Sequence, residues 1–293
     1  MRVHADAEEW IRWRADVTGP IETESEKPWG LVLRVPTSEG TFFYKQPAAE
    51  YAHEARVIKQ LGRRRPQAVP ELVAWDESGR MLMQDAGEQL SAVLDRHRDL
   101  RYWEAALPVY AELQLAVAPD ADQLLAAGAL DRRLALVPDL CHSYIGHATL
   151  VSEVTQVCNR LRALGIPETI QNDDLTSANV FLRSGRYRFI DWGFSCVSHP
   201  FFTFAVTQRA IERRFSLPPR SREIARVRDA YLEPFASLAR RSDLEDMIEP
   251  ARRIGQICRV ALRAESRWKD EQGDLSGTVK LLLDPDAWRA GVP

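Results

Sequence analysis

Hydrophobic periodicity changes once along this chain, and that change limits what it can fold into. From Val17 to Gln84 short apolar runs alternate as half-buried strands do: Val17 to Glu22, Leu31 to Val35, Thr41 to Lys45, Leu72 to Trp75 and Met81 to Gln84. Ser38-Glu39-Gly40 joins the second and third runs as a hairpin turn, and Asp76-Glu77-Ser78-Gly79 separates the last two. In between, Pro47-Ala48-Ala49 opens a stretch where Tyr51, Ala55, Ile58 and Leu61 recur at helical spacing, ending near Gly62. This half predicts a small five-stranded antiparallel sheet with one helix. After Asp85-Ala86-Gly87 helical periods dominate, around Tyr102 to Val117, from Cys141 to Leu164, and beyond Phe201 with breaks at Pro218-Pro219 and Pro234. The expected fold class is α+β in two parts, residues 1–86 and a larger, mainly helical 87–293.

Strands return in one region of the second part: Thr169 to Gln171, Val180 to Arg183 and Tyr187 to Ile190, the last two joined by Ser184-Gly185. Two motifs sit among them. Asn172-Asp173-Asp174-Leu175-Thr176-Ser177-Ala178-Asn179 puts an Asp five residues ahead of an Asn on a turn entering Val180-Phe181-Leu182, and Phe189-Ile190-Asp191-Trp192-Gly193 ends the next strand on a carboxylate. That spacing suits a phosphoryl-transfer base and two metal ligands. Lys45 ends the third predicted strand, and Glu54, on the same helix face as Glu50, is the carboxylate chosen to steady it over nucleotide phosphates.

Taken singly, each of these residues has an ordinary explanation. A strand Lys and a helix Glu are common surface charges, and Asp174 among Thr and Ser could cap a turn. Their order is what carries the argument: a strand Lys, a turn Asp, an Asn five on, then an Asp at a hairpin strand's end. Hard oxygen ligands such as Asn179 and Asp191 suit Mg²⁺ bridging the phosphates of ATP, while Asp174 would take the attacking hydroxyl's proton or orient that hydroxyl.

Composition removes other classes. With 293 residues and 45% apolar content the chain can bury a sizeable core. A net charge of -3 gives no broad basic field for nucleic acid, and no apolar run approaches bilayer length. The acidic start, Met1 to Trp10, lacks the apolar region of a secretory signal, so the cytoplasm is the expected location. Cys141, Cys158, Cys196 and Cys258 lie far apart without a C-x-x-C pair and read as core thiols. The six histidines form no ligand pair at helical spacing.

On these motifs the chain resembles the aminoglycoside phosphotransferase family, small-molecule kinases that share the protein-kinase fold. That family carries His-Gly-Asp, four variable residues and Asn, then Ile-Asp-Trp or Ile-Asp-Phe. Asp174, Asn179 and Asp191 match as base and two magnesium ligands, within a likeness running from about Val17 to Ala210. The resemblance implies a bilobal fold, with a nucleotide-binding lobe over 1–86 and a catalytic, substrate-binding lobe over 87–293. It also implies an inter-lobe hinge at Met83-Gln84-Asp85-Ala86, where the Gln84 carbonyl and Ala86 amide would hold adenine.

Three departures accompany the match. Asn172 and Asp173 replace the usual His and Gly, leaving Asp173 to touch substrate or solvent. The expected phosphate-covering loop, Thr23 to Gly30, has one glycine, so backbone amides and the Ser25 hydroxyl would have to cradle the phosphates. Thr203 stands where the family often places an Asp that braces the catalytic loop.

The acceptor is less legible. Arg209, Arg213, Arg214, Arg220, Arg222, Arg226 and Arg228 tilt the reading toward a neutral or partly anionic molecule, although Arg beside Glu212 and Glu223 is also ordinary helix surface. Asp243, Glu245, Asp246, Glu249, Glu265, Asp270 and Glu271 could equally line an amine-binding cleft, and Trp268 could stack on a sugar or base or edge the core. The leading expectation is an ATP-dependent, Mg²⁺-requiring phosphotransferase acting on a small molecule's hydroxyl, in an antibiotic, sugar, nucleoside or amino alcohol, with no nucleic-acid or membrane partner. A catalytically silent nucleotide-binding module is the alternative, supported by Asn172 and Thr203. Protein kinase activity is disfavoured because Asp-Phe-Gly and Ala-Pro-Glu are missing after Asp191.

Overall fold

The computed structural model describes residues 2–266 and 276–284; Trp268, Asp270 and Glu271 lie outside the described residues. Helix α1 (Arg2–Arg12) comes first and lies outside the elements expected from periodicity. Then come β1 (Glu22–Lys27), β2 (Gly30–Thr37), β3 (Gly40–Pro47), α2 (Glu54–Arg64), β4 (Leu72–Trp75) and β5 (Met81–Gln84). The five strands form one antiparallel sheet in the order β1-β2-β3-β5-β4.

The two faces of this sheet follow the period-2 alternation of its strands. Leu31, Leu33 and Val35 of β2, with Phe42, Tyr44 and Leu82, pack under Ala7, Trp10 and Ile11 of α1. The Trp10 indole donates to the Asp76 carboxylate at 2.7 Å and fastens the helix to the β4–β5 turn. Val32, Phe43 and Lys45 face the other way, onto a cleft.

The first strand is not where the sequence placed it. Val17 makes only an isolated bridge to Thr37, and Pro20, which has no N–H to donate, prevents a ladder there. The strand instead covers the segment expected to be a loop: β1 and β2 form a hairpin turning on Pro28 and Trp29, with Lys27 paired to Gly30. Because β1 is an edge strand with both faces mostly exposed, its Glu-Thr-Glu-Ser-Glu-Lys composition carries no apolar alternation to detect.

The remainder is mainly helical: β6 (Glu88–Gln89), α3 (Leu90–Arg96), α4 (Arg101–Val117), α5 (Ala121–Ala127), β7 (Leu130–Asp131), α6 (Val137–Tyr144), α7 (Ala148–Ala163), β8 (Thr169–Asn172), β9 (Val180–Arg183), β10 (Arg186–Phe189), β11 (Ser195–Ser198), α8 (Phe204–Phe215), α9 (Arg222–Leu232), α10 (Arg241–Glu265) and α11 (Ser276–Leu283). The helical period from Cys141 to Leu164 is two helices, since Gly146 takes φ +73° and ends α6. Two three-stranded sheets, β10-β9-β6 and β7-β11-β8, hold the predicted motifs. Ser184 and Gly185 both have positive φ, as a two-residue primed turn requires. Among the described residues no helix is long and apolar enough to cross a membrane.

Gly87 joins β5 to β6 at φ +109°, and a Cβ there would sit 2.5 Å from the Leu182 carbonyl oxygen. Gly87→Ala therefore meets both an unfavourable backbone region and a collision with the main chain of β9. It is expected to cost about 2 kcal/mol or more, read as a lower melting temperature. An unchanged melting temperature would show that the close approach imposes no constraint.

Candidate active site

The site is assembled from the sheet and the helical part together. Register pairs Lys45 with Val32 on one side and Met81 on the other, which turns its side chain toward the cleft. Glu54 begins α2 and is 1% exposed. Lys45 Nζ donates to Glu54 Oε1 at 2.9 Å and to Asp191 Oδ1 at 2.7 Å, joining a strand, a helix and the end of a distant hairpin. The Trp192 backbone N–H donates to Glu54 Oε1 at 3.2 Å.

Burial works against the Lys45 ammonium, but the charges of Asp191 and Glu54 outweigh it and hold the amine protonated, its pKa above lysine's usual value. Burial likewise raises the Glu54 pKa, with Lys45 pulling it back.

Asp174 follows β8 on a tight turn whose polar atoms are held from several sides. Its N–H donates to Asn172 Oδ1 at 2.9 Å, and Asn179 Nδ2 donates to both its carbonyl (2.8 Å) and its carboxylate (3.0 Å). Asn172 Nδ2 reaches across to the carbonyls of Ile190 (3.1 Å) and Asp191 (3.0 Å). This grip helps keep Asp191 in a left-handed conformation, φ +60°, that a non-glycine residue adopts only at a cost of about 1–2 kcal/mol. Burial pushes the Asp174 pKa up to about 6; Arg259 opposes the shift, and the Asp191 charge adds to it.

Two adjoining cavities meet at Asp191. The larger, about 580 Å³, is lined by Ser25, Lys45, Met83, Gln84, Ala86 and Asn179 among others. The smaller, about 240 Å³, is lined by Trp29, Asp173, Asp174, Phe194, Arg259 and Arg263. In the larger cavity the Ala86 N–H has no hydrogen-bond partner among the described residues although Ala86 is 8% exposed, while its carbonyl accepts from Arg188 at 3.2 Å. A buried, unpaired backbone donor calls for an acceptor from a ligand.

Asn179 and Asp191 offer hard oxygens suited to a Mg²⁺ ion. Because Asn179 Nδ2 is committed to Asp174, its Oδ1 is the atom left to face an ion. Among the described residues no three His, Cys, Asp or Glu side chains gather into a metal centre, so an ion here would complete its shell with phosphate oxygens and water.

Several expectations change. Of the two alternatives for Asp173, bulk solvent is disfavoured: the residue is 3% exposed, borders the smaller cavity and accepts from Gln171 Nε2 at 2.5 Å. Thr203 is buried and accepts from Gln114 Nε2 at 3.3 Å, so it joins the core network and does not bond the catalytic turn. Tyr110 takes over that bracing by accepting from the Asn172 N–H at 2.8 Å, Thr207 by donating to the Leu175 carbonyl at 2.9 Å, and Arg259 by donating to the Asp173 carbonyl. None of these was foreseen, because helical spacing marks Tyr110 and Thr207 as core positions and Arg259 as one basic residue among many.

The Arg-rich segment also divides. Arg214, Arg226 and Arg228 pair with Asp95, Glu104 and Asp229, away from the cleft. Arg209 lies close enough to Arg259 and Arg263 for their charges to interact. Of the acidic residues expected near an amine, Asp243, Glu245, Glu249 and Glu265 pair with Arg240, Arg241, Arg252 and Arg132.

The sequence profile of the phosphotransferase enzyme family matches residues 21–243. No curated protein matches the sequence. Among solved structures, a choline/ethanolamine kinase family protein from Mesorhizobium loti aligns with TM-score 0.63 at 16% identity, covering 97% of this chain and 97% of that one. An ethanolamine kinase from Plasmodium vivax aligns with TM-score 0.62 at 11% identity, covering 90% and 81%. A macrolide 2'-phosphotransferase from Brachybacterium faecium aligns with TM-score 0.57 at 18% identity, covering 96% and 97%. At such identities the likeness is one of fold. With the profile spanning most of its length and this protein-kinase-like architecture, the chain belongs to the phosphotransferase enzyme family and is a small-molecule phosphotransferase.

Proposed function

We propose that the protein transfers the γ-phosphoryl group of ATP to a hydroxyl of a small molecule, with Asp174 as base and Mg²⁺ as the metal. The observation that carries this reading is the bond from Lys45 to Asp191, which places a strand amine and a hairpin carboxylate 2.7 Å apart beside the hydrogen-bonded Asp174–Asn179 pair. Residues 1–86 then act as the nucleotide-binding lobe and 87–293 as the catalytic lobe. The Gln84 carbonyl and the unpaired Ala86 amide receive adenine. Lys45, steadied by Glu54, and the β1–β2 hairpin with Ser25 hold the phosphates.

Asn179 and Asp191 would hold the metal, which when bound supplies positive charge against the developing charge on the phosphate oxygens. Asp174 orients the acceptor hydroxyl and takes its proton as the oxygen bonds to the γ-phosphorus and the bond from that phosphorus to the bridging oxygen of ADP breaks. An antibiotic, sugar, nucleoside or amino alcohol all offer such a hydroxyl.

Purified protein with Mg-ATP and a panel of hydroxylated compounds is expected to give one ADP per phosphorylated acceptor, with turnover abolished by EDTA and lost in Asp191→Asn. Tight Mg-ATP binding without any acceptor or water turnover that depends on Asp191 would favour the silent module.

A further inference from the structure

We propose that the acceptor is anionic: a hydroxylated small molecule bearing a carboxylate or phosphate, received by Arg263 and Arg259 on α10 while its hydroxyl lies against Asp174. This rests on the transferase reading above and names its substrate class. Arg259 and Arg263 line the same cavity as Asp174. One Arg259 nitrogen is spent on the Asp173 carbonyl, which leaves its other N–H groups uncommitted. The Arg263 side chain makes no hydrogen bond or ion pair among the described residues, and neither does that of Arg209 behind it.

Guanidinium groups are normally matched to carboxylates where they are partly buried. Here burial, with Arg259 and Arg209 alongside, holds the Arg263 pKa below arginine's usual value although the Asp174 charge pulls it up. The carboxylates of the cavity are already occupied: Asp173 on Gln171, Asp174 as base on Asn179, Asp191 on Lys45. Among the described residues, the acidic ones that could have drawn an amine are paired elsewhere, as Asp243, Glu245, Glu249 and Glu265 are, or exposed and outside both cavities, as Asp246 is. An anion is the ligand that completes this wall.

Inorganic sulfate serves as the probe, measured by calorimetry on the full chain without nucleotide. Millimolar sulfate binding is expected in the wild type, weakened about tenfold or more in Arg263→Gln combined with Arg209→Gln, and held within about threefold in Lys45→Met combined with Glu54→Gln, which spares the fold an unpaired buried carboxylate. Arg263→Lys, which keeps the charge, is expected to retain part of the affinity. Gluconate should displace sulfate at about a tenth of the concentration that glucamine needs, the two differing only in a carboxylate against an amine.

Undetectable sulfate binding, binding indifferent to the arginine pair, binding lost only with Lys45, or glucamine outcompeting gluconate would each overturn the proposal. Melting curves of the variants establish that they are folded. None of these readings needs turnover, so Mg-ATP consumption with and without Asp174, measured on the same samples, judges the transferase reading separately.

Discussion

Replacing Asp174 with asparagine is expected to lower kcat by about 10²–10⁴-fold while leaving Mg-ATP affinity nearly unchanged. Asparagine keeps the shape of the turn and still accepts from Asn179, so what it removes is the carboxylate proposed to take the proton. A carboxylate with pKa near 6 also sets the pH dependence. Below that value kcat/KM should fall tenfold per pH unit, and above it level off, a limb that the asparagine variant should lack.

The same group sets a stability balance with a defined sign. Its folded-state pKa lies above the usual aspartate value, so the folded chain binds the proton more tightly than the unfolded one. Its contribution to stability therefore declines as pH rises from about 4 to about 6, and the ionised, working form is the less stable one. The energy tied to that proton is at most about 3 kcal/mol. Asp174→Asn should thus melt higher than the wild type at pH 8 and alike at pH 3.5. A variant that is inactive but no more stable would place the burial cost elsewhere, and one that keeps its activity would remove Asp174 as base.

Lys45→Met is expected to impair both catalysis and folding. Removing a positive group from the transferring phosphates should lower kcat/KM about 10²–10³-fold. It also strands Glu54, 1% exposed, without its cation, and breaking a buried pair in this way costs about 3–5 kcal/mol. Protonation of Glu54 limits that loss, because burial already favours its neutral form. Adding Glu54→Gln to Lys45→Met should therefore recover melting temperature but not activity. If the double variant were as unstable as the single one, the pair would not be the source of the loss.

Most of the sheet and the catalytic turn were legible in the sequence because they carry local signals. β2, β3, β4 and β5 alternate or run apolar between clear turns, and the Asp174, Asn179 and Asp191 spacing lies within twenty residues of chain. What escaped notice depends on distance or on exposure. Strand β1 has no buried face, so no periodicity marks it. Helix α1 finds its apolar partners only once β2 and β3 are paired. Asn172 looked like the loss of a family residue, and only the folded chain gives its amide the carbonyls of Ile190 and Asp191. Arg259 and Arg263 are separated from Asp174 by more than eighty residues, and no local pattern distinguishes them from the arginines that merely face solvent.

The grip of Arg259 on the Asp173 carbonyl has a consequence for how such an enzyme can be retargeted. A single helix both shapes the room for the incoming molecule and holds the peptide unit next to the proton acceptor. Leu262 and Arg263 line the same cavity as Asp174, so changes there are expected to alter which molecule fits and leave the catalytic turn in place, whereas changes at Arg259 are expected to disturb both together. Redesign toward a new compound has freedom one helical turn away from that anchor and little at the anchor itself.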